Sequence, residues 1–170
     1  MFDRLFDFLA AFWSEIWPIY LVREYQAGVQ LRLGRYLRTV GPGWYWAWPF
    51  LETAIIEDVV TSTANLHAQS LTTRDSVSIV LQAVLTSHVC DVRKLLLECE
   101  NREGVLVDAS MGILGAMVAE RTWAEVSSPQ FVIDAYKRIH RRALKYGVEL
   151  EAIQLSDLAK ARSIRLWPAN

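Results

Sequence analysis

The first seventeen residues have the hydrophobic pattern of an amphipathic helix. At about 100° per residue, residues 2–17 place their bulky apolar side chains on one arc of roughly 180°, with acidic residues, serine, arginine and alanines opposite. Pro18 ends the predicted helix, because proline disfavours helical geometry in the residue before it. The apolar arc consists of Phe2, Leu5, Phe6, Phe8, Leu9, Phe12, Trp13, Ile16 and Trp17.

This predicted helix suits a membrane surface better than a membrane interior. In a spanning helix Asp7 and Glu15 would lie in hydrocarbon, and the segment lacks an uninterrupted apolar run of about 18 to 20 residues. The acidic start, without a small-residue cleavage site, also argues against a secretory signal peptide. Two interpretations stay open: the helix lies in the bilayer interface, or its apolar face packs on the protein or on a second subunit.

After Pro18 the period changes from that of a helix to that of strands. Val29, Leu31 and Leu33 alternate with Gln30 and Arg32, which is typical of a half-buried strand. The same reasoning predicts strands at residues 19–25, 29–33, 54–60, 66–71, 76–89 and 148–155. Helices are predicted at residues 92–100 and 102–121, with a third from Ser128-Pro129 to Gly147. Strands, then helices, then one strand predict an α+β fold with a small, mostly antiparallel sheet and packed helices.

One segment, residues 41–50, is unusually rich in aromatic residues for a predicted loop. Residues 41–50, GPGWYWAWPF, hold three tryptophans, a tyrosine and a phenylalanine among glycines and prolines that predict a surface loop. A cluster of large aromatic rings is costly in water, so a membrane or another protein is expected to cover it. The candidate contact residues are Trp44, Tyr45, Trp46, Trp48 and Phe50.

Composition narrows the possible partners. The chain of 170 residues carries a formal net charge of -1, which removes a general electrostatic attraction to nucleic acid. Cys90 and Cys99 have neither zinc-ligand spacing nor the numbers of a disulfide framework. We therefore expect no nucleic-acid partner, no metal and no cofactor.

Catalytic patterns are weak throughout the chain. Neither Ser110 nor Ser156 lies in a GxSxG setting, and the three histidines fall on a predicted loop, strand and helix without the spacing of a triad or a metal site. His88 and Cys90 share a strand face, but two ligands do not make a metal site. We expect no catalytic residues and no enzymatic activity.

Three stretches together resemble a known family. REYQAGVQLRLGRYLRTVGPGWYWAWPF, the turn LTTRDSV and the closing YGVEL occur in the order and spacing of the stomatin-like SPFH (band 7) domain. The resemblance covers about residues 20 to 160. It implies a non-enzymatic, membrane-associated scaffold that attaches through an N-terminal hydrophobic segment, assembles laterally into oligomers and organises or regulates membrane proteins such as proteases and channels.

On this basis we divide the chain into an attachment segment (residues 1–22), an SPFH domain (23–160) and a short C-terminal tail (161–170). Family members continue into a long charged helix that builds coiled-coil contacts, whereas this sequence ends at Trp167-Pro168-Ala169-Asn170. An assembly that depends on that helix is therefore not expected, and two alternatives stay open: a small oligomer through the domain faces, or a minimal form that joins a larger assembly of its host. The expected location is peripheral or monotopic on a membrane, at the cytoplasmic face of a bacterial inner membrane.

The expected partners are membrane lipid, further copies of the chain and an unidentified membrane protein. Lipid contact is expected from the helix arc and the aromatic segment, and headgroup contact from Arg23, Arg32 and Arg38, which supply the positive charge that the acidic helix lacks. Arg35 has both a lipid-contacting and a structural interpretation.

Two further interpretations stay open. Gly112, Gly115 and Ala116 are small residues that permit close approach, either of the domain's own sheet or of another subunit. The alternative function is a soluble oligomeric module that uses the aromatic segment of residues 41–50 and the N-terminal helix as a subunit interface.

Overall fold

The computed structural model describes residues 19–99 and 102–161, with the backbone alone at residues 102 and 103. The predicted N-terminal helix, with its candidate contacts from Phe2 to Trp17, and the tail beyond residue 161 lie outside the described residues. The chain divides into two compact units, of which the first ends at Val60 and the second begins at Thr61.

The first unit contains two small antiparallel sheets. Strand β1 (Ile19–Val22) pairs with β4 (Gly43–Trp46). Strand β2 (Gln26–Arg32) lies between β3 (Arg35–Val40) and β5 (Glu52–Asp58). Each strand is short, and the pairings join segments up to 32 residues apart, as in Gln26 opposite Asp58. The β2–β3 pair is a local hairpin, whereas the β1–β4 and β2–β5 pairs join segments that are distant in sequence.

The first unit has a small apolar interior, and two of its strands, β2 and β5, lie unusually close together. Val22, Val29 and Val40 are its fully buried apolar side chains among the described residues. Gly28 lies opposite Ile56 in the β2–β5 pair, and a Cβ atom at Gly28 would overlap the carbonyl oxygen of Ile55. Glycine is thus required there, because β5 passes too close to β2 for any side chain.

The second unit packs helices against one antiparallel sheet, in the strand order β6-β7-β8. Alternate residues of β7 are buried, including Ile79, Leu81 and Leu85, and they form one core with Phe131 and Ile139 of a helix. Alternation is the pattern of a strand with one face covered. The elements are β6 (Ser62–Thr72), β7 (Ser78–Val89), α1 (Val92–Glu98), α2 (Arg102–Ala119), α3 (Trp123–Val126), α4 (Pro129–Ala143), a 3-10 turn (Leu144–Tyr146) and β8 (Val148–Lys160).

The start of α4 and the end of the 3-10 turn that follows it have the expected chemistry, although the helix predicted to reach Gly147 ends at Ala143 and only the 3-10 turn reaches Gly147. Ser128 precedes the helix and Pro129 occupies its first turn, where a missing N–H costs nothing. Gly147 has a φ of 74°, a left-handed conformation that glycine adopts without strain, and its carbonyl accepts the N–H groups of Cys90 and Asp91 at 3.0 Å. The start of β8 is thereby tied to the end of β7.

The α+β class predicted from the sequence is confirmed. The described residues form three small sheets, however, where one was expected. The segment predicted as a loop contains a strand, Gly43–Trp46, because β1 supplies the backbone partners that local sequence does not reveal. Strand β3 and helix α3 were not predicted, and β8 extends five residues beyond the predicted end at residue 155.

Candidate membrane-contacting surface

One face of the β1–β4 sheet is apolar and exposed. Ile19 lies opposite Trp46, and Leu21 lies opposite Trp44. Residues directly opposite one another share a face, as do residues two apart, so these four side chains form one continuous surface. All four are exposed, with Trp44 at 74% and Trp46 at 54%. We call this set the tryptophan face.

The opposite face of the same sheet packs inside the first unit. Tyr20 and Tyr45 stack with their ring centroids 5.6 Å apart, and the Arg38 guanidinium carbon lies 5.2 Å from the Tyr45 centroid. Burial raises the pKa of the Tyr20 hydroxyl. Tyr45, a candidate contact residue from the sequence, therefore lies on the face away from the tryptophans.

A buried glutamine connects the two sheets of this unit. Gln30 is 1% exposed and its side-chain amide donates to the Trp46 carbonyl at 3.1 Å and to Glu52 Oε2 at 2.8 Å. Its carbonyl accepts from Arg38 Nε at 2.7 Å. Both donors and the acceptor of the amide are used, as a buried polar group requires. Strand β4, which carries Trp44 and Trp46, is thus hydrogen-bonded to β2 through the Gln30 side chain.

Glu52 extends this network to the segment after β4. Its Oε2 atom also accepts the backbone N–H of Trp48 at 3.0 Å, and its Oε1 atom lies 3.3 Å from Arg32 Nε. The Glu52 side chain is only 6% exposed. Trp48 and Phe50 are themselves exposed, at 55% and 88%. A buried carboxylate therefore positions a segment whose aromatic side chains face outward.

The three arginines expected to contact lipid headgroups have partners within the fold. Arg23 donates to the Tyr25 hydroxyl at 2.5 Å, Arg32 pairs with Glu52, and Arg38 binds Gln30. All three remain exposed residues. Arg35 is exposed too, and its side chain makes no hydrogen bond or ion pair within residues 19–99 and 102–161, although its backbone pairs with Arg32.

The small residues of α2 divide between two environments. Gly112 is exposed, and a Cβ atom there would meet nothing within 4 Å. Ala116 is exposed as well. A Cβ at Gly115 would lie 3.7 Å from Leu71 Cδ2, which is ordinary contact with β6 of the same unit. Only Gly112 and Ala116 of the three are open to another molecule.

The histidine and cysteine residues of the described part of the chain do not form a recognisable catalytic or metal site. His88 lies between two carboxylates, with Nδ1 at 2.9 Å from Glu151 and Nε2 at 3.6 Å from Glu149. Burial and Glu149 raise the pKa of the neighbouring Cys90 thiol, so it is a weak nucleophile and ligand. Residues 19–99 and 102–161 contain no group of three or more histidine, cysteine and acidic residues suited to a metal ion.

Ile19 and Leu21 were not among the residues predicted to contact a membrane. Their alternation with Tyr20 and Val22 marks a strand, but only the pairing with β4 shows that they share the face of the tryptophans. None of the helices within the described ranges has the length and apolar character needed to cross a bilayer.

The sequence of the chain is similar to those of a known protein family. The sequence profile of the SPFH domain / Band 7 family matches residues 20–165. The chain belongs to this family. Family membership suggests a membrane scaffold role, and SPFH proteins are generally non-enzymatic and commonly associate with membranes and with themselves.

Individual relatives are distant and longer. This SPFH protein is 27% identical to a stomatin homolog of Pyrococcus horikoshii, over 82% of this chain and 53% of the relative. It is 27% identical to Stomatin-1 of Caenorhabditis elegans, over 82% of this chain and 43% of the relative. An uncharacterized protein of Methanocaldococcus jannaschii is 26% identical, over 86% of this chain and 75% of the relative. The chain thus spans about half the length of the stomatin relatives that it matches.

Proposed function

We propose that this SPFH protein is a non-enzymatic scaffold that attaches to a membrane, self-associates there and organises or regulates a membrane protein. The tryptophan face is the observation that carries the proposal. Four apolar side chains lie side by side on a strand pair whose other face is packed inside the unit. A surface of this kind is costly in water and suits a bilayer interface, where a tryptophan ring and its N–H are both accommodated.

Apolar burial of this face would contribute substantially to the free energy of attachment. At ~25 cal/mol per Å² and at least ~150 Å² per aromatic ring, full insertion of one tryptophan contributes up to roughly 4 kcal/mol. Partial insertion of Trp44, Trp46 and Trp48 therefore contributes several kcal/mol. The amphipathic segment of residues 2–17 would add further apolar contacts, so we retain residues 1–22 as the proposed attachment segment, 23–160 as the SPFH domain and 161–170 as the tail.

The proposed membrane contacts differ slightly from those expected of the sequence. Ile19 and Leu21 join Trp44, Trp46, Trp48 and Phe50, because they lie on the same side of the β1–β4 pair or are exposed beyond it. Tyr45 is omitted, since it stacks on Tyr20 on the other side. For self-association, Gly112 and Ala116 are the exposed members of the small-residue set.

Flotation with liposomes tests the proposal. We expect the wild-type chain to float with vesicles, and the variant Trp44→Ser/Trp46→Ser to float several-fold less, because two inserted rings are lost. The matched control is Ile133→Ser/Leu144→Ser, which removes two exposed apolar side chains from the second unit. Circular dichroism verifies that each variant is folded.

The same experiment separates membrane attachment from a subunit interface. If the tryptophan face joins two soluble subunits, the wild-type chain stays out of the lipid fraction, and Trp44→Ser/Trp46→Ser reduces the mass measured by light scattering. That result would contradict the membrane proposal and support the soluble oligomeric module.

A further inference from the structure

Two tight turns of the first unit carry bulky apolar residues where turn geometry favours glycine or asparagine. Leu33 and Gly34 connect β2 to β3, between the paired residues Arg32 and Arg35, and both have positive φ, at 50° and 76°. This is the pattern of a type I′ hairpin turn, in which asparagine and glycine are preferred. Leu33 nevertheless occupies its first central position and is 73% exposed.

The second turn also places a bulky apolar residue at a position that favours glycine. The Leu51 N–H donates to the Trp48 carbonyl at 3.2 Å, which closes the four-residue turn Trp48-Pro49-Phe50-Leu51. Phe50 has a φ of 66° and is 88% exposed. Proline followed by a residue with positive φ matches a type II turn, where glycine is the preferred third residue. Phenylalanine is unfavourable there both for its backbone and for its exposure to water.

The two turns lie next to each other. The Leu33 N–H donates to the Leu51 carbonyl at 2.7 Å, which joins the hairpin turn directly to the loop turn. The two bulky residues with left-handed backbones therefore belong to one end of the β3-β2-β5 sheet. Neither is buried, so the core does not account for their identity. We call this pair the Leu33/Phe50 tip.

We infer that the Leu33/Phe50 tip inserts into anionic bilayers, which adds Leu33 and a lipid selectivity to the contacts proposed above; the inference rests on the membrane attachment proposed there. Left-handed backbone strain persists where function requires a particular side chain, and the feature shared by these two side chains is that they are apolar and face outward. Trp48, which opens the loop turn, is of the residue type enriched at the bilayer interface.

Charge favours an anionic lipid surface as the occupant. Arg32 and Arg35 flank the hairpin turn as a directly opposed pair. The charge of Arg32 is compensated by Glu52, whereas the Arg35 side chain is exposed and makes no hydrogen bond or ion pair with the rest of the described chain. A basic residue next to an inserting apolar tip lies at headgroup depth, where anionic lipids attract it within a Debye length of about 8 Å.

A second protein is a less suitable occupant. Stable protein interfaces bury about 800 Å² on each partner, much more than two side chains on adjoining turns provide. A bilayer, in contrast, accepts a narrow apolar projection, because lipid chains rearrange around it. The tip therefore fits lipid better than a folded partner.

The decisive test exploits opposite effects on stability and binding. Leu33→Asn/Phe50→Gly places Asn-Gly and Pro-Gly in the two turns, the sequences that these geometries favour. We expect Tm to be unchanged or raised, and the concentration of vesicles needed for half-binding to increase roughly tenfold, since two inserted side chains are lost. The vesicles contain 70% phosphatidylcholine and 30% phosphatidylglycerol. The control Leu97→Gln/Leu144→Gln removes two exposed leucines from the second unit.

The possible outcomes are distinct. Wild-type binding with equal binding by Leu33→Asn/Phe50→Gly overturns the inference and leaves the proposed function standing. Weaker binding together with a lower Tm assigns Leu33 and Phe50 to the stability of the fold and also overturns it. Absence of wild-type binding to these vesicles counts against the proposed function and the tip together.

Direct insertion is measured independently of those variants. In a Cys90→Ser/Cys99→Ser background, Phe50→Cys carries an environment-sensitive fluorophore, and Leu97→Cys carries the same fluorophore as a control. We expect a blue shift on vesicle binding for the label at position 50 and little change at position 97. Equal emission at position 50 with and without bound vesicles would overturn the inference.

Lipid selectivity is tested by comparing the binding of an arginine variant to anionic and to neutral vesicles. Arg35→Gln is expected to weaken binding to the anionic vesicles about fivefold and to leave binding to pure phosphatidylcholine vesicles nearly unchanged. Lys137→Gln, which removes an exposed cation of α4, serves as the control. Equal losses on both vesicle types would show that Arg35 does not recognise anionic headgroups.

Discussion

The carboxylate of Glu52 accepts the backbone N–H of Trp48, with 3.0 Å between N and Oε2. The same oxygen accepts the amide of Gln30 at 2.8 Å, so one nearly buried atom ties the aromatic segment to the sheet beneath it. The exposed rings of this unit are therefore held on a firmly bonded support. Such a support reduces the entropy lost when the surface binds, since the backbone is already ordered.

Loss of the Glu52 carboxylate should weaken the first unit. Glu52→Ala leaves the Trp48 N–H and one Gln30 donor without acceptors, and a buried unsatisfied group costs about 1–3 kcal/mol. We expect the free energy of unfolding to fall by about that amount, measured by urea denaturation. Glu24→Ala, at an exposed acidic residue of the same unit, should change it little. Equal stability of the two variants would show that the network adds nothing.

Two glycines should respond to alanine with opposite signs. Gly28→Ala forces a methyl group into the Ile55 carbonyl, and we expect a loss of about 1–3 kcal/mol from overpacking. Gly112→Ala adds a methyl group in open space on α2 and should gain about 0.5–1 kcal/mol, because alanine has less backbone entropy to lose. Thermal unfolding followed by circular dichroism measures both. A stabilised Gly28→Ala would contradict the close approach of β5.

Acid should destabilise the second unit through Asp75. The Thr73 hydroxyl, followed by the Trp123 N–H, holds the pKa of Asp75 below its ordinary value of 3.8. A carboxyl with a lowered pKa in the folded state stabilises the fold above about pH 4, and this contribution is lost as the pH falls further. Asp75→Asn should therefore lower Tm near neutral pH and give a smaller loss of Tm between about pH 5 and pH 3.

The control for this pH dependence is Asp157→Asn, at an exposed aspartate of β8. Its Tm should follow the wild-type curve throughout the acid range. A profile for Asp75→Asn that runs parallel to the wild type would mean that Asp75 titrates alike in the folded and unfolded chains.

The N-terminal segment should contribute most of the membrane affinity. Deletion of residues 1–17 removes nine bulky apolar side chains, and we expect it to release most of the protein from vesicles in flotation. Phe6→Ser/Phe12→Ser/Trp13→Ser should have a similar but smaller effect, whereas Ala10→Ser/Ala11→Ser on the opposite arc should have little. Full retention of the truncated chain would mean that the first unit alone provides the attachment.

Local sequence by itself determined the strands with alternating hydrophobic residues and the helices with cap residues at their ends. Alternation at Ile79, Leu81 and Leu85 predicted a strand with one buried face, and that face lies in the core. Ser128 and Pro129 marked the start of α4, and Gly147 marked the end of the 3-10 turn that follows it, through backbone chemistry that needs no distant partner. The spacing of three short stretches was sufficient for the family, which the profile match confirms.

The tertiary structure alone decided how the first unit uses its aromatic residues. Glycines and prolines around residues 41–50 resemble a loop locally, yet β1, more than twenty residues earlier, converts Gly43–Trp46 into a strand. That pairing separates Trp44 from Tyr45 and adds Ile19 and Leu21 to the exposed face. Gln30 likewise has the sequence position of a solvent-facing strand residue but is buried, because Arg38 and Glu52 satisfy it. Hydrophobic periodicity reports which residues favour burial, whereas strand pairing between distant segments determines which of them share a surface.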